Sequence, residues 1–195
     1  NPLGMYCDTL FCDEGLEIGD YFGSQSVGFF AIPQGTVNRK YHGTSNIFFP
    51  PSEGEAYCDD EITANQLDLN IQAQSDYFPI SGGVYVYAQV NMINQLSNAN
   101  LNMVGYFVEN EYQSWQDSLS VDVPDYKHYN VLRSCLSSAA FGTTFTGNYA
   151  PGDSYNFNYS FTMPAGVSPA DYHLVLYIYD PVTYEVYQAI RHDLN

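Results

Sequence analysis

Basic side chains are almost missing from this sequence. Five Lys and Arg stand against 22 Asp and Glu, giving a net charge of −17 and a pI near 4.1. That scarcity excludes nucleic acid as a partner, because phosphate contacts need Lys and Arg. An anionic membrane surface would repel the chain for the same reason. No apolar run is long enough to span a bilayer, and no signal peptide or lipidation motif is present. The chain begins at Asn1 rather than Met, so an earlier segment removed by processing or trimming is expected. The missing leader is therefore no argument for the cytosol.

Cysteine is also sparse. Cys7, Cys12, Cys58 and Cys135 contain no C-x-x-C spacing, which leaves a zinc ribbon or a self-contained redox motif without support. As disulfide candidates the four allow three pairings. Cys7 and Cys12 can bridge a loop, and Cys58 with Cys135 would join the early segment to the later strands. Scattered buried thiols are the competing reading.

What is present is aromatic. Tyr alone occurs 19 times and aromatic residues make up 16%, while charged residues reach only 14%. That balance excludes a disordered acidic tail. A chain of 195 residues can bury roughly 70% of its unfolded surface and needs no staples.

Period-two alternation dominates after residue 66. Leu67, Leu69, Ile71 and Ala73 alternate with Asp68, Asn70, Gln72 and Gln74. Val84 to Met92 alternates with Tyr85, Tyr87, Gln89 and Asn91. Leu101 to Glu109, Tyr129 to Ser137, Phe141 to Phe145 and Ser154 to Met163 read as further strands. Asn110 to Asp125, holding Trp115, reads as a long loop. The clearest element is a C-terminal hairpin from Tyr172 to Ile190. Leu174, Leu176 and Ile178 alternate with Val175, Tyr177 and Tyr179, so both faces are apolar or aromatic. Asp180-Pro181-Val182-Thr183 makes the turn, with Asp180 suited to bond its own turn backbone.

The N-terminal third is different. Asp13 to Phe22 reads as a weak helix, and Ser52 to Ala64 as a short one with Ser52 as its N-cap. Ile32–Pro33 is a candidate cis peptide bond. The expected organisation is an N-terminal α+β appendage over residues 1–62 and a β domain over 63–195. That domain is expected to be an antiparallel immunoglobulin-like β-sandwich of seven or eight strands.

No catalytic constellation stands out. His42, His128, His173 and His192 are scattered, and no G-x-S-x-G elbow supports a serine triad. Cys58-Asp59-Asp60-Glu61 with Glu53 and Glu55 reads as a solvated helix face, since it lacks a calcium-loop register. No cofactor or metal is expected. The tyrosine surplus is more informative. Tyr85, Tyr87, Tyr177, Tyr179, Tyr184, Tyr187 and Trp115 are candidates for an interaction surface or for sugar stacking. The competing reading is cross-strand pairing within the sheets.

Several segments resemble a known family. They are Ile32-Pro33-Gln34-Gly35-Thr36-Val37-Asn38-Arg39, Met103 to Glu109, His128-Tyr129-Asn130-Val131-Leu132-Arg133, and the terminal hairpin with Tyr179-Asp180 and Val186-Tyr187-Gln188-Ala189. Together they are similar to the outer-membrane-protein-twenty-eight-related family of Bacteroidetes. The resemblance implies a C-terminal β-sandwich preceded by the tail of a thioredoxin-like domain, with Pro33 on its cis-proline strand. The β-α-β half with its Cys pair is not matched, and Cys7-x4-Cys12 does not replace that pair. The resemblance also implies export and a cell-surface or secreted location. In that lineage Asp8-Thr9-Leu10 and Asp117-Ser118-Leu119 look like O-glycosylation signals, making Thr9 and Ser118 candidates.

The expected function is an exported, non-catalytic structural or interaction module at the cell surface. Its partners would be other surface or extracellular proteins, or further copies of itself. A glycan-binding module using exposed Tyr and Trp is one alternative. A thioredoxin-derived thiol protein, motivated by Pro33, Cys7 and Cys12, is another.

Overall fold

The computed structural model describes residues 10, 12–25, 35–42, 47–64, 66–97, 100–118, 121–137 and 139–194. Cys7, Thr9 and Pro33 lie outside the described residues. Among the described residues, eight strands form two antiparallel sheets.

The smaller sheet contains β1 (Leu69–Phe78), β2 (Gly83–Met92) and β6 (Ser154–Thr162), in the order β1-β2-β6. The larger contains β3 (Leu101–Ser118), β4 (Val121–Cys135), β5 (Thr143–Phe145), β7 (Tyr172–Tyr179) and β8 (Val186–Asp193). Its order is β4-β3-β7-β8, with β5 on the same side of β3 as β4, beyond the end of β4.

Alternation decides which face each strand buries. Leu69 and Ile71 of β1 and Val84, Val86, Ala88 and Val90 of β2 point inward. They meet Leu101, Met103 and Phe107 of β3 and Leu174, Leu176 and Ile178 of β7 in one core. Burying each such side chain is worth ~1.5–3 kcal/mol. The sandwich is closed along both sides. Between β1 and β8, the Ile71 amide donates to Gln188 Oε1 at 2.6 Å and Ser75 Oγ meets His192 Nε2 at 2.9 Å. Opposite, Phe145 of β5 packs on Tyr155 and Phe157 of β6.

The terminal hairpin forms as the sequence suggests, with β7 in the interior of its sheet. The Val182 amide donates to Asp180 Oδ1 at 2.7 Å, so the aspartate organises its own turn. The second arm starts at Val186 and runs to Asp193, past Ile190; Tyr184 sits in the turn at φ +65.

Three expectations are corrected. Asn110 to Asp125 is no loop: β3 continues to Ser118 and pairs with β4 from Val121, so a two-stranded ribbon extends past the last β7 pair, Glu109 with Tyr172. Ser52 is not a helix N-cap. It lies inside a 3-10 turn, Pro51–Glu53, and the helix begins at Gly54. The N-terminal helix α1 runs Asp13–Gln25, three residues beyond Phe22. The second helix, α2, is Gly54–Ala64. No helix among the described residues is long and apolar enough to cross a membrane.

Candidate functional site

The two sheets have outer faces of opposite character. On the larger sheet, Val104, Tyr177 and Tyr179 are buried on the side away from the main core, with Tyr106, Phe141, Val175, Tyr184 and Val186 packed around them. Helix α1 crosses this face. At its start Cys12 and Glu14 lie against β4: a side chain on Gly15 would touch both Cys12 Sγ and Leu132, and the Cys135 amide donates to Glu14 at 3.5 Å. At its far end Tyr21 and Phe22 pack on Phe141 and Tyr184.

Arg39 fixes the arrangement. Its guanidinium lies over Phe22, Tyr177 and Tyr179, at 4.7, 5.2 and 5.4 Å from the ring centroids. Its Nη2 donates to the Tyr177 hydroxyl at 3.1 Å, and the next hydroxyl along, Tyr106, is 2.9 Å from that of Tyr177. Asn38 beside it accepts the Val186 amide, so this segment also holds the start of β8. Four of the five basic side chains pair with carboxylates: Lys40 with Glu61, Lys127 with Glu111, Arg133 with Glu109 and Arg191 with Asp193. Arg39 faces rings instead. Burial, followed by the neighbouring Tyr177, drives the Tyr106 hydroxyl far above the phenol range. Burial, then the bond with Tyr21, pushes Tyr184 up to about 12. These phenols stay neutral and serve as packing.

The smaller sheet presents the reverse. The outward positions of β1, β2 and β6 fall into register as rows. The central rows are Gln72–Gln89–Asn156 and Gln74–Tyr87–Asn158. Asn70–Asn91–Ser154 flanks them on one side and Asp76–Tyr85–Ser160 on the other. Asp76 is the one charged residue in the four rows. Tyr87 and Gln89 both donate to Asn156 Oδ1, at 2.8 and 3.0 Å, and Tyr85 donates to Asn158 Oδ1 at 2.6 Å. Among the described residues no hydrogen bond takes up the amide nitrogens of either asparagine. A concavity of about 320 Å³ opens over Gln72, Gln74, Tyr87 and Gln89.

The tyrosine candidates thus separate. Tyr85 is 42% exposed and Tyr87 half-buried on the open face. Tyr177 and Tyr179, at 5% and 1%, are covered, which corrects the expectation of an exposed interaction face there. Tyr184 stacks on Tyr179, and Tyr187 packs against the main core. Trp115 is half-buried in the ribbon, beside the shift in register at Ser114/Gln116. Ser118 ends β3.

The thiols also depart from expectation. Cys12, Cys58 and Cys135 are free, so Cys58 and Cys135 do not form the bridge envisaged between them. Cys58 is exposed on α2. Burial, helped by Glu14 and Cys12, pushes the Cys135 thiol up to about 12, and burial raises Cys12 as well. His173 is buried, with Nδ1 2.6 Å from Asn110 Oδ1. His42 stacks on Tyr57 at 4.5 Å. Among the described residues no three His, Cys, Asp or Glu side chains gather as a metal site.

The sequence reading passed over Arg39, Gln72, Gln74, Gln89, Asn156 and Asn158. The signal for the amides was available: the polar positions of three alternating strands are almost all Asn, Gln, Ser or Tyr. Arg39 gave none, because its partners come from helix, turn and strand segments far apart in sequence.

These features define an antiparallel two-sheet β protein, one outer face sealed by its own N-terminal segment and the other open. The chain belongs to the family described as Outer membrane protein Omp28, whose model matches residues 23–194. Among solved structures it is similar to HBP35 of Porphyromonas gingivalis, at 13% identity and a TM-score of 0.71, over 93% of this chain and 59% of that one. The chain therefore spans less than two thirds of that protein, and the likeness speaks to fold alone. A domain of the outer membrane lipoprotein Omp28 from Porphyromonas gingivalis matches at 18% identity over 66% of this chain and 89% of that one, with a TM-score of 0.43. No curated protein sequence is a significant match.

Proposed function

We propose that this chain is a non-catalytic module of the bacterial outer surface, acting by presenting binding faces rather than by chemistry. The family supports the location. The observation that carries the reading is where the reactive groups sit. His173 is tied to Asn110, Arg39 to aromatic rings, and the Cys135 thiol is held protonated by burial. Apart from Asp76, the exposed outer face of the smaller sheet consists instead of uncharged hydrogen-bonding groups. We read the same module as immunoglobulin-like; the support is the sheet order, β1-β2-β6 facing β4-β3-β7-β8. We read residues 1–62 as its appendage; among the described residues, the order α1, the Gly35–Phe49 bridge and α2 is the support for a remnant of a thioredoxin-like unit there.

A thiol-handling role is the weaker reading, since a reactive cysteine needs a lowered pKa and Cys12 and Cys135 are shifted the other way. Protease treatment of intact cells producing the native protein tests the location. Cleavage within residues 110–130 without lysis is expected. Full protection on intact cells, with cleavage only after lysis, contradicts it. Thiol titration tests the alternative: Cys58 alkylates first, and fast reaction at Cys12 or Cys135 would revive a redox role. Self-association is read by light scattering on native material, and glycosylation at Thr9 and Ser118 by mass spectrometry.

A further inference from the structure

We infer that the outer face of the smaller sheet is a binding platform for uncharged polysaccharide. The charge distribution is the first argument. In a chain of net charge −17, acidic side chains crowd α1, α2 and the β3–β4 ribbon. The central rows of this face carry no charge at all. A surface of amides and hydroxyls costs little to desolvate against a ligand that returns the same hydrogen bonds, whereas it offers nothing to pair with a charged one.

The second argument is the state of the amides. Gln72 and Gln74 are exposed, and their side-chain amides hold no hydrogen bond among the described residues. The Oδ1 atoms of Asn156 and Asn158 accept from Tyr87, Gln89 and Tyr85, and among the described residues their amide hydrogens have no hydrogen bond. Each amide donates and accepts, as a sugar hydroxyl does. Tyr85 and Tyr87 add apolar ring surface with a polar edge, suited to the carbon–hydrogen face of a sugar ring. Their hydroxyls are anchored by the asparagines, so the rings are held before any ligand arrives, which lowers the entropy cost of binding.

A protein partner fits less well. Protein interfaces centre on a few closely packed Trp, Tyr, Arg or large apolar anchors, and Tyr87 is the one such residue in the central rows. Four rows spaced by two residues span ~20 Å along the strands, room for several sugar rings over the concavity at Gln72, Gln74, Tyr87 and Gln89. The inference rests on the surface-module reading for its setting alone; a failure to bind carbohydrate would leave the protease result untouched.

The test is affinity gel electrophoresis of the purified chain in gels carrying a soluble neutral polysaccharide. A β-glucan, an α-glucan, a xylan and a galactomannan serve as probes, with polygalacturonate as the acidic control. At least one neutral polymer is expected to retard the protein and polygalacturonate is not. The double variant Gln72→Ala/Gln89→Ala is expected to lose at least tenfold in affinity, while Trp115→Ala on the ribbon retains it. No retardation by any neutral probe overturns the inference. So does retention of binding in the double variant, or loss in Trp115→Ala alone. Should the double variant misfold, nitrogen-15 spectra of the wild-type chain with a retarding polymer's oligosaccharides decide. Shifts at the side-chain amides of Gln72, Gln74, Asn156 and Asn158 are expected, and shifts confined elsewhere refute the site.

Discussion

Single residues carry disproportionate weight in this molecule. Arg39 is the cation that three aromatic side chains and the start of β8 converge upon, through its own contacts and those of Asn38. A partly desolvated cation–π contact is worth ~1–2 kcal/mol, so Arg39→Ala is expected to lower unfolding stability by about that much. The same variant is expected to free α1 for proteolysis near Tyr21 and Phe22. Equal denaturation midpoints and equal cleavage rates for variant and wild type would show that Arg39 fastens nothing. Two glycines with positive φ separate steric from conformational cost. At Gly142 (φ +77) a Cβ would lie 2.2 Å from the Met103 carbonyl oxygen, while at Gly152 (φ +92) it would meet nothing within 4 Å. Gly142→Ala should therefore cost about 3 kcal/mol or more, by overpacking, and Gly152→Ala only ~1–2 kcal/mol, by backbone strain. Urea melts of the two variants check the order, and a larger loss at Gly152 would contradict it.

At the scale of elements, the β3–β4 ribbon stands apart from the sandwich. Past Glu109 it has no partner from β7, and a two-stranded ribbon is marginal in water. Backbone amides of Gln113 and Lys127 should exchange with solvent on the order of a hundredfold or more faster than those of Leu176. Comparable protection by hydrogen exchange would mean that the ribbon is covered. Pro124 sits at the shift in register on β4, where a missing N–H discourages another strand from adding to that edge. The ribbon was illegible in the sequence for a physical reason. Strands solvated on both faces need no apolar alternation, and Asn, Glu, Gln, Ser and Asp with one Pro read as a loop. Strands β1, β2, β6 and β7 were legible because each buries one face or both. The burial of Tyr177 and Tyr179 was half-legible. Apolar character on both faces of β7 was visible, but the cover comes from α1 and Arg39, more than 130 positions away.

The whole molecule holds two opposed surfaces, and pH bears on how it is held together. Burial lowers the pKa of His173, and Arg191 lowers it further; burial also lowers that of His192. The folded chain thus resists protons that the unfolded chain accepts below its ordinary imidazole value of ~6.5. Stability is complete above that pH and is lost as pH falls beneath it. Glu61 acts in a lower window. Its burial would raise its pKa, but the bonds from Lys40 and Asn38 outweigh that and lower it, so its contribution fades only as pH falls through that lowered value. A lower urea midpoint at pH 5.0 than at pH 7.5 is expected, with a smaller difference in His173→Gln. A midpoint unchanged or raised at pH 5.0 would contradict this.

The division of the tyrosines between a sealed face and an open one underlies every functional statement above, and hydroxyl-radical footprinting read by mass spectrometry tests it most directly. Tyr85 and Tyr87 should oxidise quickly in the native protein, while Tyr177 and Tyr179 should react only after unfolding. Oxidation of Tyr177 and Tyr179 at the rate of Tyr85 would mean that the N-terminal segment does not seal the larger sheet, and the account of both faces would fall with it.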